Sequence, residues 1–293
     1  MDLSLLSDPI FRLPFVVGLL LAIVLPLLGA LLMLRDEWLA ALGYAHLAAA
    51  GALLGLAFGL PALLGGVAAA GAGAAAKGAG GARGNAFYGF MILGGWAALL
   101  LLAANTGLGE QLGHALIEGQ LYFAGPTDLM GAILLALVAG AGLPWLMPRL
   151  LRARLLPQHE VANALPARRW HLGFDLLAAA GMAVGTASLG LMAAFALVLA
   201  PAWIAFRMAP GWGWTLVWCT AVGALAYVVA FAAALALDQP FAPVLVAVLL
   251  AAAAGGAADR ALRVRGAATS PTPSAQHPAQ TPKPNQDNGE PSP

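Results

Sequence analysis

Residues 169–207 read RWHLGFDLLAAAGMAVGTASLGLMAAFALVLAPAWIAFR. How often this stretch crosses a membrane decides the fold. It is apolar from end to end apart from Asp175 and a small, polar interruption at 186–190. One crossing would leave Arg169 and Arg207 on opposite sides of a bilayer; two short crossings, hinged at 186–190, keep both on the same side. Each half offers about 15 to 18 residues, which at about 1.5 Å per residue cover only about 22 to 27 Å. Short helices that stop part-way line transport routes, where irregular backbone is hydrated. Tilt or simple mismatch is the plainer reading.

The rest of the chain argues for lipid. Of 293 residues, 61% are hydrophobic and only 9% charged, with a mean hydropathy of +0.84. A soluble domain carries about 25% charged residues, so this surface belongs in a membrane. The net charge of +1 gives no reason to expect a nucleic-acid partner. The single cysteine, Cys219, lies in an apolar run. It reads as a small buried hydrophobe; no disulfide framework is possible and no thiolate metal site is suggested.

Spanning about 30 Å of hydrocarbon takes about 20 apolar residues. Nine apolar segments stand between polar punctuation: 14–34, 39–60, 62–76, 86–104, 129–147, 174–187, 189–206, 214–237 and 240–258. They are continuous, without dyad alternation, and so predict helices. Asp2 and Asp8 precede the first segment where a signal peptide would be basic; it reads as a permanent span. Residues 259–293, rich in Pro, Ser, Gln and Asn from 267 onward, read as a disordered cytoplasmic tail.

Lys and Arg collect in cytoplasmic loops. With residues 1–13 outside, the inner set is Arg35; Lys77 and Arg83; Arg149, Arg152, Arg154, Arg168 and Arg169; Arg207; and Arg260, Arg263, Arg265 and Lys283. Arg12 alone falls outside. The expectation is an all-α polytopic membrane protein of about nine helices, N-terminus out and C-terminus in, with the membrane domain at 14–258.

Few residues carry chemistry. No phosphate loop, HExxH, cysteine pair or nucleophile elbow occurs. Gly51, Gly55 and Gly59 form a ridge on the second span, read as a helix-packing face. His46 is the one ionisable group deep in the early spans, about 10 Å from the inner end of its helix and about 140° to 220° around from that ridge. Such a group faces a cavity or a partner: it is a metal ligand on a transport path or a neutral imidazole bonded to a neighbouring helix. Outside lie Glu110, His114, Glu118 and Asp128; His114 and Glu118 share a helix face, a spacing that holds a divalent cation or belongs to a surface amphipathic segment. Asp238 closes the eighth segment. Inside, 149–171 is the longest basic loop, and a segment of this kind docks in a partner's groove or rests on the membrane.

Five pieces in order resemble the zinc/manganese/iron-chelate permease family of ABC importers. They are LAALGYAHLAAAGALLGLAFG (39–59), GQLYFAGPTDL (119–129), EVANA (160–164), LGLMAAFALVLAPAWIA (189–205) and DQPFAPVLVA (238–247). The signature positions are Gly51, Gly55, Gly59, Gly119, Asp128, Gly190, Pro201, Ala202, Pro240 and Pro243. The resemblance implies a symmetric homodimer in a bacterial plasma (inner) membrane with a cargo path between subunits. It also implies two cytoplasmic ATPase subunits contacting Glu160, Ala162, Asn163 and Ala164, and a periplasmic or lipoprotein metal-binding protein delivering cargo. The chain itself would hold no cofactor and catalyse nothing; a divalent metal would be its cargo. The family's acid four residues before His46 is Leu42 here, a fourth-span histidine of many zinc members is Leu93, the inner glycine is Ala164 or Leu165, and Ala242 replaces a glycine. A chelate or non-metal cargo, a secondary transporter using Asp175, and a regulatory subunit without cargo are the rival readings.

Overall fold

The computed structural model describes residues 9–80, 84–106, 121–163 and 167–269, with the side chains of 9, 80, 159–161, 167 and 257–269 left undescribed. No strand occurs among the described residues. The helices are α1 (Pro9–Leu34), α2 (Leu39–Ala57), α3 (Ala62–Gly80), α4 (Asn85–Asn105), α5 (Pro126–Leu155), α6 (Pro157–Ala162), α7 (Ala167–Leu189), α8 (Leu191–Met208), α9 (Trp212–Leu237) and α10 (Phe241–Thr269), with a 3₁₀ turn at Leu121–Phe123. The chain divides into a unit at Met1–Gly256 and another at Ala257–Pro293.

Among the described residues, eight helices are long and apolar enough to cross a membrane. The ninth expected segment is a shorter apolar piece, Phe241–Gly256. The stretch at 169–207 does form two helices. Gly190 separates them with φ +90°, a backbone conformation that costs glycine nothing and other residues a steric clash. The break is this one residue, because Thr186 and Ser188 are still helical.

Three expectations need correction. Most of the described part of 149–171 is helix, not loop: α5 carries Arg149, Arg152 and Arg154 to Leu155, and α7 takes up Arg168, Arg169 and His171. Helix-forming Leu, Arg and Ala continue both helices past the apolar segments. Lys77 is not in a loop either; it is buried within α3. From 259 to 269 the expected disordered tail is helical, where Ala, Leu and Arg favour the helix; residues 270–293 lie outside the described set.

Helices α1, α2 and α7 are mostly buried, while α3, α4, α5 and α9 turn most of their apolar surface outward. Lipid has no hydrophobic drive to push helices together, so close packing depends on small residues. A Cβ on Gly29 of α1 would lie against the Val198 carbonyl of α8, and one on Gly223 of α9 would lie 2.6 Å from the Ala22 carbonyl of α1. Gly18 leaves room for Tyr227, whose hydroxyl donates to the Pro14 and Phe15 carbonyls at 3.3 and 3.2 Å. Phe15, Tyr227, Phe231 and Phe241 form a run of ring contacts joining α1, α9 and α10.

Candidate functional site

Helix α2 is the element that positions His46. Its C-terminal half meets α3 through glycine: a Cβ on Gly51 would lie 2.5 Å from the Gly65 carbonyl, and one on Gly55 would lie 3.1 Å from Gly65 Cα. Gly59 is not part of this face. It follows the end of α2 with φ +72° and has open space beside it, so its role is to turn the chain. On the other side α2 approaches α4, where Gly95 gives the His46 backbone room to pass.

His46 is buried, and its Nδ1 lies 2.9 Å from the Leu42 carbonyl oxygen. A carbonyl can only accept, so Nδ1 carries a proton, and in the neutral form of the ring the lone pair is then on Nε2. Metal-binding histidines are oriented by a bond of this type. Leu93 stands two residues before Gly95 and is 62% exposed. A side chain there points away from His46 within the subunit. Among the described residues, no group of three or more His, Cys, Asp and Glu could hold a metal ion. His114, Glu118, Glu110 and Gly119 lie outside the described residues.

Below His46, at the other end of α2, lies a buried ionic cluster that the hydropathy reading did not assemble. Asp175 on α7 accepts from Arg35 Nη1 through Oδ1 and from Lys77 Nζ through Oδ2, each at 2.8 Å. Glu37, between α1 and α2, accepts from Lys77 at 3.0 Å and pairs with Arg35. Two cations and two anions cancel, which is how charge survives out of water. The Arg35 guanidinium lies over the Phe174 ring at 5.1 Å and the Lys77 ammonium near the Tyr88 ring at 5.5 Å. Each of the four stands at the edge of an apolar segment, Arg35 after 14–34, Glu37 before 39–60, Lys77 after 62–76 and Asp175 at the start of 174–187, but the sequence does not say that they meet. Asp175 is engaged by two cations.

Asp128, just ahead of the expected segment at 129–147, is the third residue of α5. Its Oδ2 accepts from the Gly125 N–H at 2.9 Å, and its Oδ1 from the Ser188 hydroxyl at 3.3 Å. It therefore caps α5 and ties that end to the last turn of α7, beside the Gly190 break. Pro201 and Ala202 are buried within α8, where Ala202 packs with Ala30 and Cys219. Pro240 precedes α10, and Pro243 lies in its first turn, where a missing N–H costs nothing. Asp238 ends α9 in the left-handed conformation.

The short helix α6 and Asn163 follow α5, and Ala162 and Asn163 are exposed. The Glu160 side chain and all of Ala164 lie outside the described residues. Arg149 fastens α5 to α7: its guanidinium lies 4.4 and 4.6 Å from the rings of Trp145 and Trp170, which meet edge-on at 4.6 Å.

A helical membrane body with an interrupted span, a buried imidazole and a charge-neutral cluster at one end suits a transport subunit. The profile described as the ABC 3 transport family matches residues 7–255. The chain belongs to that family, the membrane subunits of ABC importers that its motifs resemble, and it is not itself an enzyme. In fold it is similar to a solved structure described as "PsaBC from Streptococcus pneumoniae in complex with Fab", with a TM-score of 0.76 and 17% identity over 86% of this chain and 92% of that one. No curated protein matches the sequence significantly.

Proposed function

We propose that this chain forms the translocation path of an importer for a divalent metal, zinc or manganese, in a bacterial inner membrane. It works as a symmetric homodimer. Two ATPase subunits dock at the α6 segment, where Glu160, Ala162, Asn163 and Ala164 make the contact, and an external binding protein delivers the ion. The observation that carries this reading is His46, buried on a central helix with Nδ1 held by the Leu42 carbonyl and the lone pair on Nε2. An imidazole so fixed suits a borderline cation. One imidazole per subunit makes a weak site across a dimer, and a transit site must be weak enough to release its cargo. ATP-driven closure of the ATPases biases inward-facing against outward-facing states.

Uptake of radiolabelled zinc and manganese in a strain lacking its own importers tests the reading. ATP-dependent accumulation that falls in His46→Ala supports it; no uptake of either ion counts against it. The second reading, a chelate that keeps its own ligands, is favoured by Leu42 and Leu93 standing where the resemblance implies ion ligands. Labelled ferric chelate taken up in place of the bare ions would select it.

A further inference from the structure

Two separate polar ties join α7 to α3. One is the buried pair of Lys77 and Asp175. The other lies at the start of α7, where Arg168 Nε donates to the Gly78 carbonyl at 2.9 Å and Nη2 to the Ala79 carbonyl at 3.0 Å. The last carbonyls of a helix have no partner within it. An arginine placed there satisfies them and meets the negative end of the helix dipole.

These ties stand between the two functional regions of the chain. Helix α7 begins five residues after Ala162, the last residue of α6. On the other flank of α6, the Trp145–Arg149–Trp170 stack holds α5 to α7. A push on α6 therefore has a route to α7 through α5. Helix α3, in turn, is in backbone contact with α2: a Cβ on Gly65 would lie 2.2 Å from the Gly51 carbonyl and 3.0 Å from Gly55 Cα. Surfaces this close move together, because packed interiors transmit displacement and have no slack to absorb it. Helix α2 carries His46, and Glu37 of the ionic cluster stands two residues before its first turn.

We infer that Arg168, Lys77 and Asp175 are positioning residues that carry displacement of the α6 segment through α7 to the α2–α3 pair, and so to His46. This rests on the proposed docking of an ATPase at α6. Stability alone accounts poorly for the cluster. Replacing buried ion pairs with apolar side chains of similar volume is often neutral for a fold, because desolvation offsets the attraction. Four charges at the base of the His46 helix are better explained by a joint that is directional and able to rearrange.

The test uses the chain co-expressed with its ATPase subunit and reconstituted in liposomes. ATP hydrolysis and uptake of radiolabelled zinc and manganese are measured on the same preparation. Lys77→Met with Asp175→Leu removes one ion pair and leaves Arg35 and Glu37 neutral together, so the variant is expected to fold. Arg168→Gln changes an exposed cap and leaves the core alone, whereas Arg168→Lys can still donate to the carbonyls. The expected result is normal complex yield and normal ATP hydrolysis, with ions moved per ATP falling about tenfold, within the usual range of coupling between sites. Arg168→Lys should stay close to the parental ratio. Unchanged transport per ATP in the double variant and in Arg168→Gln would overturn the inference. So would losses of uptake that merely follow loss of complex. Failure of the parental chain to capture the ATPase would remove the docking reading and the joint with it. Capture with full coupling in the variants would remove only the joint.

Discussion

The backbone of His46 on α2 passes over Gly95 on α4 so closely that a Cβ on Gly95 would lie 2.6 Å from the His46 carbonyl carbon and 2.8 Å from its Cβ. Gly95 therefore sets the distance between α4 and the helix that carries the candidate ligand. Gly95→Ala is expected to push the two helices apart at a cost of about 1–3 kcal/mol, the usual range for overpacking. Thermal unfolding of the detergent-solubilised protein measures it. A midpoint equal to that of the parental chain would contradict the contact.

His46→Ala is expected to reduce uptake of bare zinc or manganese. Leu42→Asp is expected to raise uptake or change selectivity. The backbone carbonyl of residue 42 holds Nδ1 whatever side chain is attached, so the new carboxylate adds a ligand without disturbing the ring. Radiolabelled uptake decides. Normal transport in His46→Ala together with no effect of Leu42→Asp would make His46 a packing residue.

Asp128 joins the start of α5 to the end of α7, 60 residues apart. Asp128→Ala is expected to destabilise the protein by about 1 kcal/mol, as loss of a helix cap does. Ser188→Ala should cost less. Because both variants remove the same bond, their double mutant should cost less than the sum. Strict additivity in thermal unfolding would show that the two side chains do not interact.

Glu160→Lys and Ala162→Trp are expected to abolish transport while membrane insertion stays normal, since both alter the surface assigned to the ATPase. Co-purification of the ATPase and ATP-driven uptake are the measurements. Full capture with normal uptake in both variants would remove α6 from the interface.

Cysteines placed at Ser4 and Ser274 are expected to react with an impermeant thiol reagent from opposite faces of the membrane. Reaction from the same face would overturn the assignment of an external N-terminus and an internal tail.

What could be read from the chain alone was whatever depends on local pattern. Hydrophobic runs, their lengths and the placing of arginine reveal helices and a membrane without reference to any neighbour. The interruption at 186–190 is a local signal too, and the structure narrows it to Gly190 through its φ of +90°. The glycines of α2 announced a packing face by their spacing. Spacing could not tell that the helix stops at Ala57 and leaves Gly59 in a turn.

The rest is a matter of which helices meet. Asp175 read as a lone intramembrane acid and Lys77 as a loop cation, because the 98 residues between them are silent about distance. Only the packing of α3 against α7 brings them together and makes the pair electrically neutral. Leu93 and His46 sit on neighbouring helices, and a motif reading treats both as ligand positions. The tertiary structure turns Leu93 outward and gives its place beside His46 to Gly95. Sequence by itself determined that this chain is a bundle of membrane helices and where most of them begin, because burying backbone in lipid leaves the chain almost no alternative to the helix. Only the tertiary structure decided which side chains share a site, because helix rotation and contact are set by complementary surfaces that lie far apart along the chain.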